Sequence, residues 1–228
     1  MFSRACLQAL MVLVFTVGAV AAETELPGNA MLALPDAEVP EDGWPTILLL
    51  HGYGTNKEDF TAFSGMLVQH GVAAISIDAP VSIGEGRRSW PRDAEQSYAA
   101  LRPSLDFVQE DKRFDASRVF VGGFSQGGYH SMLMGKGHPS EVAGLLVISP
   151  GGGAALPDNW QGGGFEQPLY LLYGEQESDR IRGLVENAAE EWRAAEQRVL
   201  VESHDGGHHF PDDWEAVLGR AMDWLLGD

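Results

Sequence analysis

From Thr46 to the end of the chain, short apolar runs alternate with longer amphipathic stretches. Residues 47–50, 73–77, 119–122, 145–149, 169–173 and 199–202 have strand length, and most are nearly continuous in apolar residues. A strand buried on one face alternates with period two, whereas one buried on both faces reads without gaps, so these runs predict parallel strands in a covered sheet. Between them apolar residues recur at helical spacing. Phe60, Phe63 and Leu67 form one stripe, and Tyr98, Leu101, Leu105 and Val108 a second. Ile181, Leu184, Val185, Ala188 and Trp192 form a third, and Trp214, Val217, Leu218, Ala221 and Leu225 a fourth. Each predicts a helix with one buried face. Pro103 interrupts the second stripe and predicts a kink or two pieces there, because proline removes an amide from the helical ladder.

Strand and helix alternation of this kind predicts an α/β fold, a mostly parallel sheet with helices on both faces. The 228 residues suit one such domain over residues 46–228, and the chain carries no internal repeat and no linker. No long insertion separates the fifth and sixth strands, so a large lid domain is not expected and the site should be open. Residues 23–45, rich in Pro, Glu and Asp, read as a surface lead-in with at most a short edge strand. The glycine-rich run 151–164, which carries Pro157 and Trp160, reads as a loop over the site.

The first residues change the picture of where the protein works. Arg4 precedes an apolar run from Leu7 to Val20, which ends in small residues. Those are the parts of a secretory signal over residues 1–22, with cleavage expected near Ala21 or Ala22, and the run is short for a membrane anchor. The expected location is therefore periplasmic or extracellular, with no stable membrane insertion after the signal is removed. Cys6 is the only cysteine, so a mature chain would have no disulfide, no thiol nucleophile and no cysteine-held metal. The formal charge of −18 argues against nucleic acid and anionic membranes as partners.

In a parallel sheet, ligands gather at the carboxyl ends of the strands, and the loops there carry the candidate chemistry. Gly123-Phe124-Ser125-Gln126-Gly127 follows the third strand, where flanking glycines permit a sharp turn that lifts the Ser125 hydroxyl above the sheet. His51-Gly52-Tyr53-Gly54 ends the first strand, and the Tyr53 and Gln126 amides are candidates for an oxyanion hole. Gly206-Gly207-His208-His209 follows the last strand. Of that pair His208 is the candidate base, because the glycine before it suits a turn. A metal reading of His204, His208 and His209 is disfavoured, since they lie on a loop without a matching carboxylate motif. Glu177 and Asp179, after the fifth strand, are both candidates for the acid that orients the histidine, and capping of the next helix is the competing duty of Asp179. His70, His130 and His138 read as helix or turn residues.

With those residues in place, the chain from about Thr46 resembles the α/β-hydrolases of the phospholipase/carboxylesterase group, related to acyl-protein thioesterases and dienelactone hydrolase-like esterases. Gly86-Arg87-Arg88-Ser89-Trp90 is similar to that group's loop before a helix, and by the resemblance Trp90 and Gly52 belong near the substrate. The family's acid stands three residues after the glycine that ends its strand. Counted from Gly174 that position is Glu177 where the family has Asp, which leaves Asp179 as the other choice. The resemblance implies a Ser-His-acid hydrolase of carboxylic esters, on small-molecule or polymer-linked substrates, with no metal and no organic cofactor. A non-catalytic binding protein and an acyltransferase on the same triad are the competing functions.

Overall fold

The computed structural model describes residues 24–153 and 166–227. The chain enters through β1 (Thr24–Leu26) and β2 (Ala30–Ala33), followed by β3 (Trp44–Leu50), α1 (Thr61–Gln69) and β4 (Ala73–Ile77). A hairpin of β5 (Val81–Gly84) and β6 (Arg87–Ser89) precedes α2 (Ala94–Glu110), β7 (Phe114–Phe124) and α3 (Gln126–Gly137). The remainder runs β8 (Gly144–Ile148), β9 (Leu169–Gly174), α4 (Asp179–Ala194), β10 (Val199–His204) and α5 (Trp214–Leu226). The export signal expected over residues 1–22, and residues 154–165 with Pro157 and Trp160, lie outside the described residues.

One sheet takes the strand order β1-β2-β4-β3-β7-β8-β9-β10. From β4 to β10 every pairing is parallel, while β2 joins β4, and β1 joins β2, antiparallel at one edge. The continuous apolar runs have the reason anticipated for them: alternate residues of each strand enter opposite layers. Leu48 and Leu50 pack with Leu101, Leu105 and Trp192, from α2 and α4. Ile47 and Leu49 pack with Leu67, Leu218 and Leu225, from α1 and α5. Burying one such side chain contributes about 1.5–3 kcal/mol before conformational entropy is counted, so both layers are needed.

Two local features differ from expectation. α2 runs unbroken through Pro103. Proline there withholds an amide from the carbonyl of Ala99, but both residues are exposed, so water can satisfy that carbonyl and the helix persists. The lead-in supplies two strands, and β2 is buried at every position although it is only four residues long.

Candidate active site

Ser125 sits at the junction of β7 and α3 with φ 55° and ψ −118°. That backbone region is costly for a residue with a side chain and persists only where its surroundings enforce it. Here β3 enforces it. A Cβ on Gly127 would lie 1.8 Å from the Leu50 carbonyl oxygen, and one on Gly123 would lie 2.5 Å from the same atom. Only bare backbone lets the turn press against the end of β3. The Ser125 amide donates to the Ile148 carbonyl at 2.9 Å, and its carbonyl accepts from Tyr129 at 3.0 Å and Gly151 at 2.9 Å.

The loop after β10 brings His208 across the strand ends to Ser125. Its Nε2 lies 2.8 Å from Ser125 Oγ, and its Nδ1 lies 2.8 Å from Glu177 Oε1. Glu177 is acceptor-only as a carboxylate, so the imidazole proton belongs on Nδ1 and Nε2 is left to accept the serine hydroxyl. The Glu177 carboxylate is almost wholly enclosed, with a side-chain exposure of 2%, whereas the His208 side chain is 40% exposed. A close approach of backbones sets this arrangement: a Cβ on Gly174 would meet the Gly206 and Gly207 carbonyl oxygens at 2.4 Å.

Of the two acid candidates the structure brings only Glu177 to the histidine. Asp179 opens α4, its side chain is 96% exposed, and it pairs with Arg182 on its own helix. The cap of α4 is Ser178, whose hydroxyl accepts from the Ile181 amide. His209 turns away, with Nδ1 donating to the Phe210 carbonyl and Nε2 accepting from the Gly207 amide. No group of three or more His, Cys, Asp or Glu among the described residues is arranged to hold a metal ion.

Opposite the histidine, the β3 loop is held by side chains whose part the sequence did not disclose. His51 is fully buried, its Nε2 accepts from the Ala79 amide at 2.9 Å, and its Nδ1 donates to the Gly52 carbonyl at 2.8 Å. Burial pushes its pKa below the usual histidine value, which keeps the ring neutral and the bonding pattern intact. Gly52 abuts the nucleophile, since a Cβ there would stand 3.5 Å from Ser125 Cβ. The Trp90 indole N–H donates to the His51 carbonyl at 2.8 Å. The Gln126 side chain grips the Trp90 peptide, accepting from its N–H at 3.0 Å and donating to its carbonyl at 3.1 Å. Trp90, expected beside substrate, is only 2% exposed, and its ring packs between His51 and His130. Its main contribution is thus to join the β3 loop to the start of α3. A polar side chain directly after the serine, and a tryptophan closing the polar segment 86–90, are the signals in the sequence for this brace.

A cleft of about 420 Å³ opens beside these groups, with Tyr53, Gln126 and Gly152 on its walls and Arg92 and Arg180 among its lining residues. Tyr53, which lines the cleft, is 62% exposed as a residue. Neither the Tyr53 nor the Gln126 amide is bonded to an acceptor among the described residues.

The sequence model of the alpha/beta hydrolase family matches residues 47–227. The chain is 30% identical over 132 residues to Lipase 1 of Psychrobacter immobilis and 28% identical over 133 residues to Lipase 3 of Moraxella sp. (strain TA144). These matches take in 57% and 58% of this chain and 40% of each lipase, so the chain spans less than half of either protein. Among solved structures it is similar to Thermogutta terrifontis esterase 2 phosphoramylated by tabun, with a TM-score of 0.71 at 14% identity, over 92% of this chain and 95% of that one. The Bacillus cereus carboxylesterase gives a TM-score of 0.62 at 16% identity, over 87% and 93%. At such identities the likeness is one of fold.

Proposed function

The chain belongs to the alpha/beta hydrolase family, and on that footing we propose that it is a serine esterase with Ser125 as nucleophile, His208 as general base and Glu177 as the orienting acid. The observation that carries this reading is the His208 ring, which spans Ser125 and Glu177 with 2.8 Å on either side. A serine hydroxyl is a weak nucleophile until a base takes its proton during attack. His208 Nε2 is within reach to do so, and the enclosed Glu177 carboxylate fixes the tautomer and stabilises the imidazolium that forms.

Attack of Ser125 Oγ on an ester carbonyl builds a tetrahedral oxyanion, for which the unengaged Tyr53 and Gln126 amides are the donors. The brace through His51, Trp90 and Gln126 holds the two amides in fixed relation, and preorganised donors do not have to reorient as charge develops. His208 then returns its proton to the leaving alcohol, and water releases the acyl group by the same route. The lipases and esterases to which the chain is similar support ester hydrolysis as the reaction class. The enclosed, bonded position of Glu177 favours the esterase over a non-catalytic binding protein, the alternative raised by the exchange of Asp for Glu.

The test is labelling of the folded protein with a fluorophosphonate probe together with hydrolysis of p-nitrophenyl esters. Wild type should label and turn over, and Ser125→Ala should lose labelling and on the order of a million-fold in kcat. Turnover surviving in the variant would overturn the assignment.

A further inference from the structure

The cleft beside Ser125 contains an electrostatic feature that ester hydrolysis alone does not require. The chain has 33 acidic residues against 15 basic ones, and most of the described Lys and Arg side chains are taken up in pairs with carboxylates. Arg92 and Arg180 both line the cleft, and neither is among the residues so paired. Their acidic neighbours in sequence are occupied elsewhere. Asp93 accepts from the Glu95 amide and from Gln96 at the start of α2, and Asp179 pairs with Arg182. In so acidic a protein, two cations on one cleft with no carboxylate partner among the described residues are a local departure from the field of the whole molecule.

Arg180 is tied to the backbone beside the nucleophile, and Arg92 is near it in the chain. Arg180 donates one Nη2 bond to the Gly152 carbonyl, and the other donors of its guanidinium fork have no acceptor among the described residues. The residue before Gly152 is Gly151, whose amide bonds the Ser125 carbonyl and whose Cβ position lies 3.7 Å from Ser125 Oγ. Arg92 follows two residues after Trp90, the residue that the Gln126 side chain grips. The cleft walls include Tyr53 and Gln126 but not His208, the group that would protonate the leaving alcohol. The cleft is therefore on the side available to the acyl half of a substrate.

We propose that this cleft takes the acyl half of esters whose acyl chain ends in a carboxylate, with Arg92 and Arg180 binding that carboxylate. The substrate class is thus monoesters of short dicarboxylic acids, hydrolysed with one water to the dicarboxylic acid and the alcohol. This rests on the reading of Ser125 as nucleophile. Guanidinium forks suit the geometry of a carboxylate, and charge-assisted bonds of this kind are about twice as strong as neutral ones.

The experiment compares monoethyl succinate with ethyl levulinate, which carries a methyl ketone where the first has a carboxylate, by ethanol release. Wild type should favour monoethyl succinate in kcat/KM by at least about tenfold, the scale of one hydrogen bond to a charged group. In Arg92→Gln/Arg180→Gln that ratio should fall to about one, and in Arg92→Lys/Arg180→Lys it should recover in part, since lysine keeps the charge but not the fork. The ratio is taken within one preparation, so loss of folded protein cancels from it. A wild-type ratio of one or less, or a ratio unaltered in the glutamine variant, would overturn the proposal while Ser125 labelling and levulinate turnover left the esterase reading standing. If neither ester turns over and Ser125 does not label, the esterase reading itself fails and this proposal goes with it.

Discussion

Two histidines stand next to glycine at the ends of parallel strands, His51 after β3 and His208 in the loop after β10, and each has both ring nitrogens engaged. Motif against motif they look alike. Their surroundings separate them: His51 is wholly buried, and its shortest bonds are to backbone with the Thr55 hydroxyl of its own loop at 3.3 Å, whereas His208 is 40% exposed in its side chain and bonds two side chains from different loops. A ring bonded to backbone amides and carbonyls can fix a loop, but it has no reacting partner. A ring between a hydroxyl and a carboxylate can pass a proton from one state to the next.

The comparison breaks most readily at the partner that orients the proton. Glu177→Gln replaces an acceptor-only group by an amide whose NH2 can face Nδ1, and the imidazole is then driven to the tautomer that cannot accept from Ser125. The expected loss is on the order of 10⁴-fold in kcat, the scale seen for the matching acid-to-amide change in a serine protease triad. Steady-state kinetics check this, with the melting temperature of the variant showing that it is folded. A loss below tenfold would mean that Glu177 does not orient the base.

His51 should behave differently. His51→Ala leaves the Ala79 amide buried without its acceptor and removes one donor from the Gly52 carbonyl, which keeps the Thr55 hydroxyl at 2.9 Å, so about 1–3 kcal/mol of stability should go. The Tyr53 amide loses its support, and kcat should fall by about 10²-fold, as when one oxyanion donor is lost. Acid should expose the same side chain in the wild type. The unfolded chain takes up this proton near 6.5 and the folded ring only at a lower pH, because burial opposes the charge. Stability contributed by the neutral ring is therefore present above 6.5, declines as pH falls from 6.5 toward the depressed folded value, and does not decline further below it. Denaturant titrations across this range should show a steeper loss in wild type than in His51→Ala, and equal slopes would refute a buried neutral His51.

The same contrast explains how much the chain disclosed in advance. The six parallel strands were legible because burial on both faces leaves unbroken apolar runs, and the elbow was legible because its glycines answer to the Leu50 carbonyl, a constraint no other residue meets. His208 was separable from His209 by the glycine before it. What escaped depended on long-range partners. The brace from Gln126 to Trp90 to His51 joins residues 36 and 39 positions apart, and nothing in local spacing announces it. The β5–β6 hairpin escaped because it is mostly exposed and polar, and β2 because four residues are too few to establish a period.

Glu177 and Asp179 give the finest version of the comparison, since they are two residues apart and chemically equivalent. Residues at that separation on a loop can point either way, and the backbone decides. The Glu177 amide bonds the Gly174 carbonyl at 3.1 Å, closing a turn at the end of β9, while Ser178 caps α4 and sends Asp179 into the first helical turn. Asp179→Asn should therefore leave kcat and KM within about twofold of wild type and change stability by no more than about 0.5 kcal/mol, because it removes only an exposed pair with Arg182. Kinetics on the single variants and on Glu177→Gln/Asp179→Asn decide the point. A double variant much less active than Glu177→Gln alone would mean that Asp179 swings in when Glu177 is disabled, and that the division of labour drawn from their positions is incomplete.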